Sequence, residues 1–215
     1  MKPCLSLLLL LFFFGASSLM QAQISGTAHD FSSEIWAPAE NKICAVCHAT
    51  HNATPVTSAP LWDHEVTVVA SYTLYSSATF DPHGGTTIGD PGASSKLCLS
   101  CHDGTVALEN FGGVTGGSNY ISSGNRIGGA SGGDMSNEHP ISFDYTTALA
   151  TLDGGLHDPA TTNVAALGGT ISNTMLFANK MECASCHDVH NKYNVASLLK
   201  LSNTNSQLCL TCHDK

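Results

Sequence analysis

Four short segments of this chain place two cysteines and a histidine at one fixed spacing. Each reads C-x-x-C-H, at positions 44–48, 98–102, 183–187 and 209–213. Two thiols one helical turn apart can add to the two vinyl groups of one porphyrin, and the next imidazole can bind its iron, so this is the attachment signature of c-type haem. The sequence therefore predicts four covalently bound c-type haems. The predicted attachment residues are Cys44, Cys47, Cys98, Cys101, Cys183, Cys186, Cys209 and Cys212. The predicted iron ligands within the motifs are His48, His102, His187 and His213.

The four segments form two matched pairs rather than four equal copies. Positions 44–52 and 183–191 both read C-x-x-C-H-x-x-H-N. Positions 95–103 and 206–214 both follow the pattern S-x-L-C-L-x-C-H-D. A repeat of this kind indicates that one haem-pair unit occurs twice along the chain.

A second ligand for each iron is available, because histidines are in surplus. His51 and His190 occupy equivalent positions of the repeat, three residues after a motif histidine. Neither can reach around to the far face of the haem that its neighbour holds. Each is therefore expected to bind a different haem, which brings two porphyrins close together. His29 and His139 stand upstream of the two units as a second matched pair, which completes four bis-histidine sites.

Three further histidines are left outside this set. His64 is the alternative ligand, but its counterpart in the second unit, near Leu201, is not a histidine. His83 and His157 lie near proline and glycine and are interpreted as exposed loop residues. The Gly-rich stretch at 112–133 is interpreted as a flexible surface loop. The alternative is backbone lying close to a haem face or to a neighbouring subunit.

The first 22 residues have the character of a removable leader. Lys2 precedes an apolar run at 5–14, and small residues follow at 17–22. That order is typical of a secretory signal peptide, with cleavage after Ala22. The apolar run is shorter than the roughly 20 residues that a spanning helix needs. We therefore expect residues 1–22 to be removed from an exported protein with no membrane span in the mature chain. Its expected location is extracellular or at the cell surface, or alternatively periplasmic.

Residues 23–215 are expected to form one tetrahaem domain. Its two haem-pair units lie at about 23–110 and 135–215 and are joined by the Gly-rich loop. Only 12% of residues are charged, against about 25% in ordinary globular domains, and abundant small polar residues favour loops and turns. The predicted fold class is a multihaem cytochrome c that is mostly loop. We expect short helices at the CxxCH motifs, few short strands and a core organised by haem.

The motifs resemble those of small exported tetrahaem cytochromes with doubled C-x-x-C-H motifs. Besides the repeat, the resemblance is carried by A-P-L-W at 59–62, L-C-L-S-C-H-D-G-T-V-A at 97–107, H-P-I-S at 139–142 and M-E-C-A-S-C-H at 181–187. Within this group the chain is most similar to OmcE-type subunits of the extracellular cytochrome filaments (nanowires) of metal-reducing bacteria. The resemblance implies subunits stacked into a continuous haem wire. It also implies that a histidine of one subunit, here His29, can complete a haem of its neighbour.

Iron closed on both faces by histidine has no open site for a substrate, so the predicted function is electron transfer and not enzymatic catalysis. We expect a homopolymer that conducts electrons along an extracellular filament to other redox proteins or extracellular acceptors. The alternative is a monomeric periplasmic tetrahaem carrier, and a third hypothesis is a multihaem reductase with one open iron. The net charge of −9 argues against a nucleic-acid partner, which requires a basic face.

Overall fold

Short helices separated by long irregular segments make up this computed structural model, which describes residues 23–38, 42–56, 59–81 and 88–214. The predicted leader and His83 lie outside the described residues. The α-helices are α1 (Ala93–His102), α2 (Thr147–Asp153), α3 (Ile171–Thr174), α4 (Cys183–Cys186) and α5 (Gln207–Leu210). Single 3₁₀ turns occur at Ile43–Val46, Ser123–Asn125, Ala165–Leu167, Ala196–Leu198 and Thr204–Ser206. In the ranges described, no helix is both long enough and apolar enough to cross a bilayer.

Within the described ranges, four strands of two residues each form two small ladders. β1 (Thr73–Leu74) pairs in parallel with β2 (Asp134–Met135), in the register Thr73 to Asp134. β3 (Asn163–Val164) pairs antiparallel with β4 (Gly169–Thr170). Ladders of this length are too short to stabilise a sheet by themselves. The two ladders instead connect loops to each other. This arrangement agrees with the predicted architecture, which is mostly loop with few short strands.

Each C-x-x-C-H motif lies in or directly after a helical turn, as the sequence predicts. The first motif begins inside the turn Ile43–Val46, and the other three use α1, α4 and α5. Residues three apart in a helical turn lie on the same side, so one turn is enough to present both thiols together. One helical turn is therefore enough for each motif, and α1 alone among the described helices extends beyond two turns.

Two apolar clusters form the protein part of the core. The larger lies within residues 143–212 and contains Phe143, Tyr145, Leu149, Ala150, Val164, Ile171, Met175, Leu176, Met181, Leu201 and Cys212. The smaller packs Leu99 of α1 against Tyr72, Met135 and Ile141. The first motif contributes to neither cluster, so the polypeptide core is concentrated around the other three motifs.

The sequence repeat is also a repeat of backbone structure. The amide of Asp63 donates to the carbonyl of Cys47 at 2.9 Å, and the amide of Lys200 donates to the carbonyl of Cys186 at 2.8 Å. Asp63 and Lys200 thus occupy equivalent positions of the repeat. The residues that follow them, His64 and Leu201, are therefore equivalent too, as the repeat within the sequence predicts.

The asparagine that ends each H-x-x-H-N segment has a structural reason. Asn52 and Asn191 have φ angles of 59° and 53°. This left-handed region is unfavourable for most side chains, and asparagine tolerates it better than most. Each asparagine therefore turns the chain immediately after the histidine predicted to be a second iron ligand.

The Gly-rich loop is exposed in its first half and packed in its second. The amide of Ile127 donates to the carbonyl of His102 at 2.7 Å, and the amide of Thr73 donates to the carbonyl of Gly133 at 2.8 Å. Gly132 has a φ of +78°, and a Cβ there would lie 2.5 Å from the Asp103 carbonyl oxygen. The prediction of a surface loop therefore fits only the first half, because the second half packs against the backbone of the second motif.

Substituting Gly132→Ala should lower the stability of the protein with its haems attached by about 1–3 kcal/mol, because it combines backbone strain with a main-chain overlap. Thermal unfolding followed by circular dichroism measures this loss. Gly124→Ala, in the same loop with open space around its Cα, is the matched control and should change little. Equal melting temperatures for the two variants would contradict the packing described.

Candidate haem sites

Three of the four motif histidines are oriented by the same kind of hydrogen bond. In each, ring atom Nδ1 donates to a main-chain carbonyl 3.0 Å away. The pairs are His48 with Pro60, His102 with Asn125 and His187 with Ser197. Such a bond fixes the proton on Nδ1, orients the ring and leaves Nε2 free for a metal. The sequence carries no signal for these partners, because any residue type supplies a carbonyl.

Three of the predicted second ligands lie opposite motif histidines. The ring centres are 6.2 Å apart for His48 and His190, 6.0 Å for His29 and His102, and 6.5 Å for His139 and His213. A ring nitrogen binds a metal at about 2 Å, so two imidazoles on opposite sides of one metal have centres about 6 Å apart. Ordinary ring contacts also occur at this distance. The choice of partners is what makes these contacts informative, because each pair joins a motif histidine to a different predicted second ligand.

The pairing of His48 with His190 crosses between the two predicted units. His190 lies three residues after His187, so it belongs to the second unit, whereas His48 belongs to the first. The assignment of His190 to a haem other than the one held by His187 stays a prediction. Residues of the two predicted units therefore meet at this point.

His51 is the exception among the predicted second ligands. It is exposed, and its Nδ1 accepts a hydrogen bond from Nδ2 of Asn52 at 3.2 Å. The repeat would pair His51 with His187, but the structure gives no ring contact between these two described residues. The assignment of His51 stays a prediction.

His29 is held in the neutral form that binds metals. Burial, followed by the nearby His102 and His187, lowers the pKa of His29 from 6.5 to about 4. Its ring is therefore uncharged at neutral pH, and neutral imidazole is the metal-ligating form. Within the described residues its buried Nδ1 has no hydrogen-bond partner.

The motif cysteines bring consecutive motifs into proximity. The hydrogen bond with Cys183 and burial raise the pKa of Cys98. Cys98 of the second motif therefore lies against Cys183 of the third. Burial and the nearby Cys47 raise the pKa of Cys101 to about 12, which joins the second motif to the first. Burial, with Cys186 as the next contribution, raises the pKa of Cys212 to about 12 and joins the fourth motif to the third. All eight motif cysteines are free, and none forms a disulfide with another.

A buried carboxyl joins α1 to α4. Glu182 is 2% exposed, caps the start of α4 reciprocally with Ser185, and accepts hydrogen bonds from the hydroxyls of Ser95 and Ser142. The amide of Cys183 donates to Ser95 Oγ at 3.0 Å. Glu182 therefore fixes the third motif against the helix that carries the second.

The stability of the protein should depend on pH through Glu182. Burial raises the pKa of Glu182 from its ordinary 4.5, outweighing the hydrogen bonds from Ser95 and Ser142 that lower it. The folded protein thus holds this proton to higher pH than the unfolded chain does. The contribution of Glu182 to the free energy of unfolding is therefore fully present below pH 4.5 and is lost as pH rises through the pKa of the folded state.

Glu182→Gln should remove this pH dependence and raise the unfolding free energy relative to wild type on the alkaline side of that window. Chemical denaturation over a pH series measures the difference. Glu34→Gln, at an exposed position, is the control and should follow the wild-type curve. A wild-type pH profile in Glu182→Gln would show that Glu182 is not the group responsible.

His64 is the most buried described histidine, at 1% exposure. Its Nδ1 donates to the carbonyl of Glu65 at 2.8 Å, and its Nε2 lies 3.7 Å from Sγ of Cys101. The ring of Trp62 contacts both His64 and His48, with ring centres 6.3 and 6.4 Å away. The sequence leaves His64 as the alternative ligand and gives no indication of this contact with the second motif. His157, expected to be exposed, is half-buried because its amide donates to the carbonyl of Cys212.

The residues present fit haem. Buried nitrogens with no hydrogen-bond partner among the described residues include His29 Nδ1, Trp62 Nε1 and Arg126 Nε. All three lie near the first and second motifs, where a haem would bring two carboxylates that accept hydrogen bonds. Paired thiols, neutral imidazoles and unsatisfied buried donors together form the donor set that haem requires.

A comparison with models of known protein families gives a match to the C-terminal part of this chain. Residues 176–215, which contain the third and fourth motifs, match the family model described as Doubled CXXCH motif. A comparison with curated proteins gives no significant match to this chain. The family match supports a multihaem c-type cytochrome-like protein, with covalently bound haem iron and a function in electron transfer.

Proposed function

We propose that this chain is an exported tetrahaem cytochrome that conducts electrons through four bis-histidine haems, and that its subunits polymerise into an extracellular filament of the OmcE type. The carrying observation is the set of three ring pairs, each joining a motif histidine to a histidine outside the motifs at 6.0–6.5 Å. His51 is proposed as the fourth second ligand, opposite His187. When bound, each haem supplies an iron that takes up and releases one electron.

The chain's own residues hold, orient and enclose these groups. Main-chain carbonyls fix the motif imidazoles, and the contact between Cys98 and Cys183 keeps the second and third motifs adjacent. Each motif lies close to the next one along the chain. Electron transfer between carriers requires this proximity. Imidazoles on both faces leave no position for a substrate, so we propose that the protein is not an enzyme.

A haem count and a spin-state measurement test this proposal together. A pyridine haemochrome assay should return four haems per chain, and electron paramagnetic resonance of the oxidised protein should give low-spin signals only. Fewer than four haems would contradict the attachment scheme. A substantial high-spin signal would instead favour the reductase hypothesis, with the iron of His187 as the open one, since His51 does not contact that ring.

Polymerisation is tested separately, because a monomeric periplasmic carrier has one observation in its favour. His29 has a partner ring, His102, within its own chain, so the proposed ligand set does not require a histidine from a neighbour. Electron microscopy of the extracellular fraction from respiring cells should reveal cytochrome fibres. A haem protein found only as a monomer in the periplasm would reject the filament and leave the electron-transfer function intact.

A further inference from the structure

Arg126 is the only arginine in the sequence, and its backbone is held beside the iron ligand proposed for the second motif. His102 Nδ1 donates to the carbonyl of Asn125 at 3.0 Å, and the amide of Ile127 donates to the carbonyl of His102 at 2.7 Å. These two bonds join the residues on either side of Arg126 to one histidine. The position of Arg126 relative to the second motif is therefore fixed by the fold.

The side chain of Arg126 packs against the same motif. Gly104, two residues after His102, has a φ of +74°, and a Cβ there would overlap the Arg126 guanidinium. Glycine thus leaves the space that the arginine fills. The guanidinium consequently lies against the backbone that follows the motif histidine.

The hydrogen-bonding capacity of this guanidinium is largely unused. Its Nε is buried and has no acceptor among the described residues, and Nη1 donates to the carbonyl of Ala130 at a long 3.4 Å. The carboxylate of Asp103, next to Gly104 in the chain, instead accepts hydrogen bonds from Tyr72 and Thr105. A buried donor atom without an acceptor is costly, so Nε of Arg126 calls for an acceptor that the described residues do not supply.

We propose that Arg126 binds a carboxylate side chain of the haem attached at Cys98 and Cys101, and that this contact raises the reduction potential of that haem. The inference rests on the proposed haem at the second motif. The planar guanidinium fork matches a carboxylate and can form two parallel charge-assisted hydrogen bonds. A fixed cation beside the site favours the added electron, and hydrogen bonds around haem are a recognised means of tuning potential.

The test compares Arg126→Gln, Arg126→Lys and Lys96→Gln in the protein with haems attached. Lys96 is an exposed cation on α1, two residues before Cys98, so its replacement removes one charge near the same motif. Arg126→Gln should shift the reduction equilibrium of one haem about tenfold towards the oxidised form, which is about 59 mV for one electron. It should also change the haem-propionate bending band in resonance Raman spectra. Arg126→Lys should leave the reduction potential close to that of the wild type. Lys96→Gln should shift the reduction potential much less than Arg126→Gln does.

Each other outcome overturns the inference. Equal shifts in Arg126→Gln and Lys96→Gln, or an unchanged propionate band, would leave only a general charge effect. Loss of haem in both Arg126 variants would make the residue a folding element. Dissociation of an assembly by Arg126→Gln, with the band unchanged, would identify the carboxylate as one from another chain. Mass spectrometry of the wild-type peptide containing Cys98 and Cys101 keeps the two proposals apart, since absence of haem there rejects the proposed function itself.

Discussion

Replacing His190 by alanine is expected to convert one of the four haems from low-spin, six-coordinate iron to high-spin, five-coordinate iron. The His190 ring lies opposite His48, with centres 6.2 Å apart and planes inclined by 16°. Its side chain is 52% exposed, so the fold loses little packing. The backbone bond from Gln23 to the carbonyl of His190 survives the substitution. The effect should therefore be confined to one iron.

Electron paramagnetic resonance of the oxidised protein and carbon monoxide binding to the reduced protein measure this change. About a quarter of the haem should become high-spin, and about one carbon monoxide should bind per chain, while the haem count stays at four. His64→Ala is the matched control, because His64 is buried and close to a motif but lies outside the proposed ligand set. It should lower stability and leave the spin state unchanged. A high-spin signal in His64→Ala and none in His190→Ala would reverse the assignment.

The sequence predicts the parts of this molecule that depend on local chemistry. The spacing of each C-x-x-C-H motif requires one helical turn, and a helical turn lies at each motif. The repeat predicts the equivalence of His64 and Leu201, which the hydrogen bonds of Asp63 and Lys200 bear out. Loop-forming composition predicts short, sparse elements. These predictions succeed because they need no knowledge of which distant segments meet.

The parts that depend on distant contacts could not be predicted. The carbonyls of Pro60, Asn125 and Ser197 orient three imidazoles, yet nothing distinguishes these residues in the sequence. Burial of Glu182 depends on the meeting of α1 and α4, which lie more than 80 residues apart. Arg126 did offer a signal, as the single arginine of a chain poor in cations, but only the fold reveals its position beside His102.

The contact between the two predicted units changes how the repeat should be understood. A duplicated haem-pair unit suggests two bodies joined by a linker. In the structure the first unit contributes His48 and the second contributes His190 to one ring pair, and the second half of the Gly-rich loop binds the second motif rather than spanning free space. The two predicted units therefore contact each other within one structure.

A chain prepared without haem attachment is expected to be unfolded. The longest helix in the described part of the chain, α1, has ten residues, α2 has seven, and α3, α4 and α5 have four each. Isolated helices below about 12 residues are marginal in water, and two-residue strands add little. Ordering the backbone costs about 1–2 kcal/mol per residue. The two small apolar clusters cannot offset that cost for the described chain, so attached haem must supply the missing buried surface.

Expression without the haem-attachment machinery, followed by nuclear magnetic resonance and thermal denaturation, measures this dependence. The spectrum should have poor amide dispersion, and no cooperative transition should appear. The double variant Cys44→Ser with Cys47→Ser provides a graded comparison, because it removes only the site at the first motif, which contributes to neither apolar cluster. That protein should keep three haems and a cooperative transition at a lower temperature. A cooperative, well-dispersed haem-free chain would instead mean that the polypeptide alone determines the fold and that haem enters a preformed site.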